Sequence, residues 1–331
     1  MSESPPSAQR FENLDLYRGL AALAVCLFHF GVDQPVHDRI ASDLLGHGYL
    51  GFDVFFVISG FVIPLALEKS HFVARDYGSF LLKRFLRLYP AYFASGVLVL
   101  VLWYASSLYP GFRGAAPHVS ARQIVGNLTL TADLLDEPWL NPVYWTLAIE
   151  VQYYLLIGLC YPALTSTSAG IRWAVIATWL LIPLILPLHA TVFEYGALFG
   201  LGIAAFLYAT HRIDLRGFLA CLIAGLLVQG LHADWLSAGA ALATALAIAW
   251  ARFEAPRSLV FLGTISYSLY LVHVPFGGKV IHALQRLHGG PGFAYGVILV
   301  AVILTVGAAY LFYRAIERPS HAYSRRIRAK A

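Results

Sequence analysis

The chain is poor in charge. Of its 331 residues only 12% are Asp, Glu, Lys or Arg, about half of what a soluble domain carries, so there is too little charge to coat a globule in water. Cysteine is scarce as well. Cys26, Cys160 and Cys221 all fall within apolar runs, without metal-ligand spacing or a disulfide framework, and read as packing residues. No linker, low-complexity segment or internal repeat interrupts the chain, and the missing repeat weakens a transporter built from duplicated halves. The first apolar run is too long for a signal-peptide core and no small-residue cleavage site follows it; it reads as a retained first span.

Apolar residues make up 59% of the chain and the mean hydropathy is +0.68. Apolar runs of about 20 residues, enough to cross about 30 Å of hydrocarbon, recur throughout. Helices satisfy their own backbone groups, so the pattern predicts an all-α, polytopic integral-membrane bundle. Ten transmembrane helices are expected, near 14–32, 48–67, 88–107, 143–163, 172–188, 191–209, 216–232, 235–251, 258–278 and 293–313. The seventh and eighth are the least secure, being short, Ala-rich and closely spaced. Residues 1–11 read as an N-terminal tail, 12–320 as the membrane domain and 321–331 as a basic C-terminal tail. With the N-terminus inside, connections on that side hold 17 Lys and Arg against 5 on the other, which predicts both termini in the cytoplasm. That bias also accounts for the net charge of +5 without any nucleic-acid partner.

Against this background the polar residues within spans stand out, because Asp or Arg at a helix centre costs about 2.5–3.5 kcal/mol on insertion scales. The first span, LDLYRGLAALAVCLFHF, places Asp15, Arg18, Ala22 and His29 on one face, with Arg18 and His29 about 16.5 Å apart along the axis. Asp53 lies in the first turns of the second span, ahead of Ser59 and Gly60 near its middle; the glycine suggests close helix packing. Lys83, Arg84 and Arg87 precede the third span. Two arginines at i and i+3 suit paired hydrogen bonds to phosphate, and also read as a topology signal with anionic-lipid contact. Glu150 lies roughly 10 Å into the fourth span, flanked by Trp145, Tyr153 and Tyr154. The ninth span carries Ser266, Tyr267, Ser268, Tyr270 and His273, and Glu194 lies near the outer end of the sixth. Depth arithmetic puts His29, Asp53, Glu150, Glu194 and His273 in one outer slab and the arginines toward the cytoplasm. A carboxylate beside a histidine favours its cation or fixes its neutral tautomer, so the histidines are candidates for proton handling.

These segments also resemble a family. Leu14 to His29, with ten residues between Arg18 and His29, resembles the first-helix signature of the acyltransferase-3 family of membrane acyltransferases. GFDVFFVISGF, RFLR, YWTLAIEVQYYL, FEYGALFGLG, ISYSLYLVHVPF and YRAIERP resemble its later motifs, in order, over residues 12 to 320. Thr146 stands where the family commonly has Ser, and Val274 where Trp often follows the histidine. The resemblance implies a multi-pass protein of the bacterial inner membrane that moves an acyl group, often acetyl, from cytoplasmic acyl-CoA to a hydroxyl of a glycan or glycolipid such as lipopolysaccharide or exopolysaccharide, with no metal. On that reading Arg84 and Arg87, with Lys83 and Arg18, hold the phosphates of acyl-CoA. His29 is the general base or relays the acyl group, Glu150 or Asp53 orients it, and Ser59 steadies the thioester oxygen. Trp145, Tyr153, Tyr154, Tyr267, His273 and Glu194 fall on the acceptor side. The rival reading is a proton-coupled transporter or flippase that uses the same buried His and carboxylates as a relay.

Overall fold

The computed structural model describes residues 6–32, 38–111, 114, 117–186, 188–251, 254–287, 289 and 292–327, with backbone alone over 6–12. Parts of the two expected tails, residues 1–5 and 328–331, therefore lie outside the described residues. Every regular element among those described is helical. In chain order they are α1 (Pro6–Val32), α2 (Arg39–Gly46), α3 (Gly51–Lys69), α4 (Tyr77–Ser107), α5 (Ala121–Thr129), α6 (Tyr144–Leu164), α7 (Ala169–Ile185), α8 (Gly196–Ala209), α9 (Leu215–His232), α10 (Trp235–Trp250), α11 (Arg257–Thr264), α12 (Ser266–Val272), α13 (Gly278–Leu284), α14 (Phe293–Phe312) and α15 (Arg318–Ser324). Two π-helical turns, His273–Gly277 and Tyr313–Glu317, join α12 to α13 and α14 to α15.

Among the described residues six helical segments are long and apolar enough to cross a membrane, and α11 with α12–α13 makes a seventh if that pair, bent by 59°, is one span. The other three apolar helices, α7, α8 and α10, have 17, 14 and 16 residues, or about 21 to 26 Å, short of the full hydrocarbon thickness. The expected count of ten thus resolves into six or seven full-length spans and three shorter helices. The seventh expected span, α9, is among the full-length ones; the sixth is shorter than expected, because the chain stays in turns until Gly196.

Burial explains why α8 needs no full span. Every residue from Gly196 to Leu207 is buried, with α3, α7, α9 and α10 packed around it, so the helix meets protein on all sides. Its crossing with α3 is close because two glycines meet there: a methyl on Gly202 would strike Val57 O and the Gly60 backbone. A second close crossing sets α1 on α11, where Gly263 faces the Asp15 carbonyl. One apolar core surrounds α8; the other joins α1, α4, α6, α12 and α14. Between them a cavity opens among α1, α3, α4, α6 and α12.

Candidate active site

That cavity, with the open solvent at its opening included, holds about 800 Å³ of empty space. Its wall gathers Arg18 from α1, Ser59 from α3, Arg84 and Arg87 from α4, Thr146, Glu150 and Tyr154 from α6, and Ser266, Tyr267 and Tyr270 from α12. Glu150 is the one acidic residue among the described lining residues. Its carboxylate accepts from Tyr154 Oη and, at 3.4 Å, from Ser59 Oγ. The guanidinium of Arg84 lies 5.5 Å from the Phe80 ring and 5.6 Å from the Tyr154 ring, which holds a cation without neutralising it. No carboxylate within 4.0 Å pairs with Arg18, Arg84 or Arg87 among the described residues. The charges acting most strongly on Arg87 are Arg18 and Arg84, ahead of Glu150. Three cations facing this space against Glu150 and the nearby Glu317 leave it net positive, which suits an anion.

The cavity has a mouth. Arg84 and Arg87 also line an adjoining cleft of about 940 Å³ whose other walls include Lys83, Ser79, Asp76 and Arg325. Lys83, expected beside the arginines, therefore stands at the entrance rather than in the inner wall. Arg325 was not among the expected site residues, because by sequence it belongs to a basic tail.

At the opposite end Tyr270 closes the cavity, its hydroxyl 2.6 Å from Thr146 Oγ1. Behind it the Tyr270 ring lies 5.8 Å from the ring of His273, which is wholly buried. His273 Nε2 is 3.2 Å from His29 Nδ1. The structure therefore brings His29 to His273, across 244 residues of chain. Glu150 contacts Ser59 and Tyr154, while Asp53 turns the other way, toward Ser237 of α10. Neither contacts His29, because counting residues along a helix does not fix the direction a side chain faces.

Three expected acceptor-side residues also lie elsewhere. Tyr153 is completely buried and stacks on Phe199 at 4.1 Å, so it belongs to the core around α8. Trp145 packs edge-on against Phe52 at 5.1 Å and near Tyr195 at 5.6 Å. Glu194 closes the turn before α8, accepting from Ala190 N at 3.0 Å and lying 3.3 Å from His189 Nδ1. Tyr154 and Tyr267 do line the cavity, and Tyr267 Oη donates to Leu88 O at 3.0 Å.

Two buried polar residues escaped the sequence reading. Glu317 is 2% exposed and accepts from Ser268 N at 3.1 Å and Ser268 Oγ at 2.5 Å, satisfying an orphan donor at the start of α12 and fixing the helix that carries Tyr267, Tyr270 and His273. Asn141 donates from Nδ2 to Leu271 O at 2.9 Å. Both lie just beyond a span end, where polar residues are ordinary and give no signal.

Comparison with known proteins agrees with this architecture. The family model of the acyltransferase domain, acyltransferase 3, matches residues 11–314. The O-acetyltransferase OatA of Staphylococcus aureus (strain NCTC 8325 / PS 47) is 25% identical over 363 aligned positions, which cover 95% of this chain and 57% of that protein. Protein 2 in picA locus of Rhizobium radiobacter is 31% identical over 201 positions, covering 60% of this chain and 98% of that protein. The chain thus spans little more than half the length of its O-acetyltransferase relative. No solved structure matches it. An all-helical chain with several membrane-length apolar helices, matched by the family model over nearly its whole length, belongs to the acyltransferase-3 family.

Proposed function

We propose that the protein is an inner-membrane O-acyltransferase that takes an acyl group, most simply acetyl, from cytoplasmic acyl-CoA and places it on a hydroxyl of a glycan or glycolipid. The observation that carries this reading is the set of three arginines without ion-pair partners around one cavity, with further basic residues at its mouth. Both termini are cytoplasmic in this reading, so the mouth faces the compartment that supplies acyl-CoA. Arg84, Arg87 and Lys83 take the phosphates of the nucleotide, Arg guanidinium forks matching phosphate geometry. The pantetheine arm enters the cavity past Arg18 and Glu150, and the thioester reaches the end closed by Tyr270 and Thr146. His29, which lies beside His273 behind that end and not on the cavity wall itself, removes the proton of the acceptor hydroxyl as its oxygen attacks the thioester carbon. The C–S bond then breaks, and the proton passes from His29 to the leaving thiolate, giving ester and free CoA. Ser59 and Glu150 form a polar wall along the arm. Glu150 also limits the mutual repulsion of the arginines when the cavity is empty.

The test uses purified protein in detergent with acetyl-CoA and candidate polysaccharide acceptors, following thiol release. An enzyme liberates CoA in proportion to ester formed, without any sealed compartment. Movement of a solute across proteoliposomes without CoA release would instead support the transport reading.

A further inference from the structure

The hydrogen bonds around the two histidines leave little freedom in where the protons lie. His273 Nδ1 is 3.1 Å from Leu269 O. A carbonyl only accepts, so this nitrogen carries the hydrogen and Nε2 of the neutral ring is an acceptor. His29 Nδ1 in turn faces two acceptors, Val25 O at 2.9 Å and His273 Nε2 at 3.2 Å. It therefore carries a hydrogen shared between them. In the neutral pair the lone pair of His29 is then on Nε2, the form a base requires.

The placement of His273 has its own cause, four residues upstream of a missing donor. Pro275 has no N–H, and its ring excludes the carbonyl of residue 271 from a helical bond. The helix widens there into the π-helical turn His273–Gly277, a feature common at functional sites. The carbonyl released by the proline, Leu271 O, is taken by Asn141 Nδ2 at 2.9 Å, and Asn141 is only 1% exposed. Gly277 completes the fit: a methyl there would overlap the Phe30 ring, one residue beyond His29. The widened turn thus lies directly against α1, and Asn141 clamps it from the loop ahead of α6.

We propose that His273 is a positioning residue for His29, with its buried Nε2 as a neutral acceptor that holds the base in the Nδ1–H form and Asn141 as the clamp that holds His273. The inference rests on His29 being the base. When His29 Nε2 takes the acceptor's proton, its Nδ1–H becomes part of a cation and bonds His273 more strongly; the proton leaves to the thiolate and the pair returns to its starting state. His273 carries no net charge at any step, so at the Nδ1–H of His29 a neutral ring nitrogen stands where hydrolase triads place a carboxylate.

The decisive comparison is His273→Phe, which keeps the ring volume and removes the acceptor, with His273→Gln, whose amide oxygen restores one. We expect His273→Phe to lower kcat by about 100-fold while the KM for acetyl-CoA stays within about twofold, and His273→Gln to recover roughly tenfold of the loss. ¹⁵N NMR of wild-type protein labelled at histidine should show both residues protonated at Nδ1, with a scalar coupling across the N–H···N bond between the rings. A folded His273→Phe protein with wild-type kcat overturns the proposal, as does a wild-type spectrum with the His29 hydrogen on Nε2. Should the Phe variant not fold, the wild-type spectrum and the Gln variant decide. Turnover in His29→Ala would instead overturn the base assignment, a failure the NMR measurement distinguishes from failure of the pairing.

Discussion

Arg87→Met separates a binding arginine from a structural one, because only the structural role predicts a loss of stability. Arg87 lines the cavity beside Arg18 and Arg84, and no carboxylate lies within ion-pair distance of it among the described residues. Two like charges about 10 Å apart at an effective dielectric near 20 repel by about 1.7 kcal/mol. Met keeps most of the apolar stem, relieves two such repulsions and forfeits attractions of similar size to Glu150 and Glu317, so the ligand-free variant should keep its stability to within about 1 kcal/mol. In the complex, a charge-assisted hydrogen bond contributes about 1.5–3 kcal/mol; at about 1.4 kcal/mol per tenfold, the variant should need roughly 10- to 150-fold more acetyl-CoA for half-maximal rate, with the acceptor requirement unchanged. Thermal melting in detergent, with and without acetyl-CoA, reads both effects: the free variant should melt close to the wild-type temperature and lose the shift given by the nucleotide. Arg212→Met is the control. Its guanidinium pairs with Glu68 at 2.9 Å, so this variant should lower the melting temperature and leave acetyl-CoA dependence alone. An Arg87→Met protein that melts several degrees lower yet keeps a wild-type KM would show Arg87 to be a structural cation and remove the main support for the binding site.

Three further substitutions probe other parts of the site. His29→Ala should abolish ester formation while membrane insertion and detergent elution stay normal; turnover within tenfold of wild type would refute the base assignment. Asp53→Asn should leave turnover within a few-fold, since its carboxylate faces Ser237 away from the cavity, and a hundredfold loss of kcat would return Asp53 to the chemistry. Gly202→Ala places a methyl against Val57 O at the α3–α8 crossing and should cost about 1–3 kcal/mol by overpacking, seen as a lower melting temperature with unchanged KM; a wild-type melting curve would mean that the two helices do not cross so closely.

What the sequence made legible was largely one-dimensional. Composition and run length sufficed for an all-helical membrane bundle, and the 3–4 spacing of α1 sufficed to put Arg18 and His29 on one stripe. The i, i+3 arginines on α4 and Glu150 on α6 line one cavity, although counting along their helices sets them in different layers. Run length failed where neighbours replace lipid: α8 is apolar on every side because protein surrounds it, and an apolar run buried in protein looks the same as one buried in hydrocarbon until its length is measured.

The partner of His29 shows why depth was insufficient. Five polar residues shared one slab by counting residues from the span ends, and a carboxylate was the natural companion for a histidine among them. Rotation about each helix axis then decided the outcome, and rotation is set by tertiary contacts. Gly60 against Gly202 turns α3 so that Ser59 meets Glu150 while Asp53 reaches α10. Pro275 widens the turn that carries His273 and presses it onto α1 beside Phe30. The signal for the histidine pair was present locally, as a proline two residues after a buried histidine and a Gly two residues beyond that. Its consequence was not, because the carbonyl that the proline frees is satisfied by Asn141, 130 residues earlier in the chain. A backbone group without its helical partner must find another, and which side chain supplies it is decided only when the helices pack.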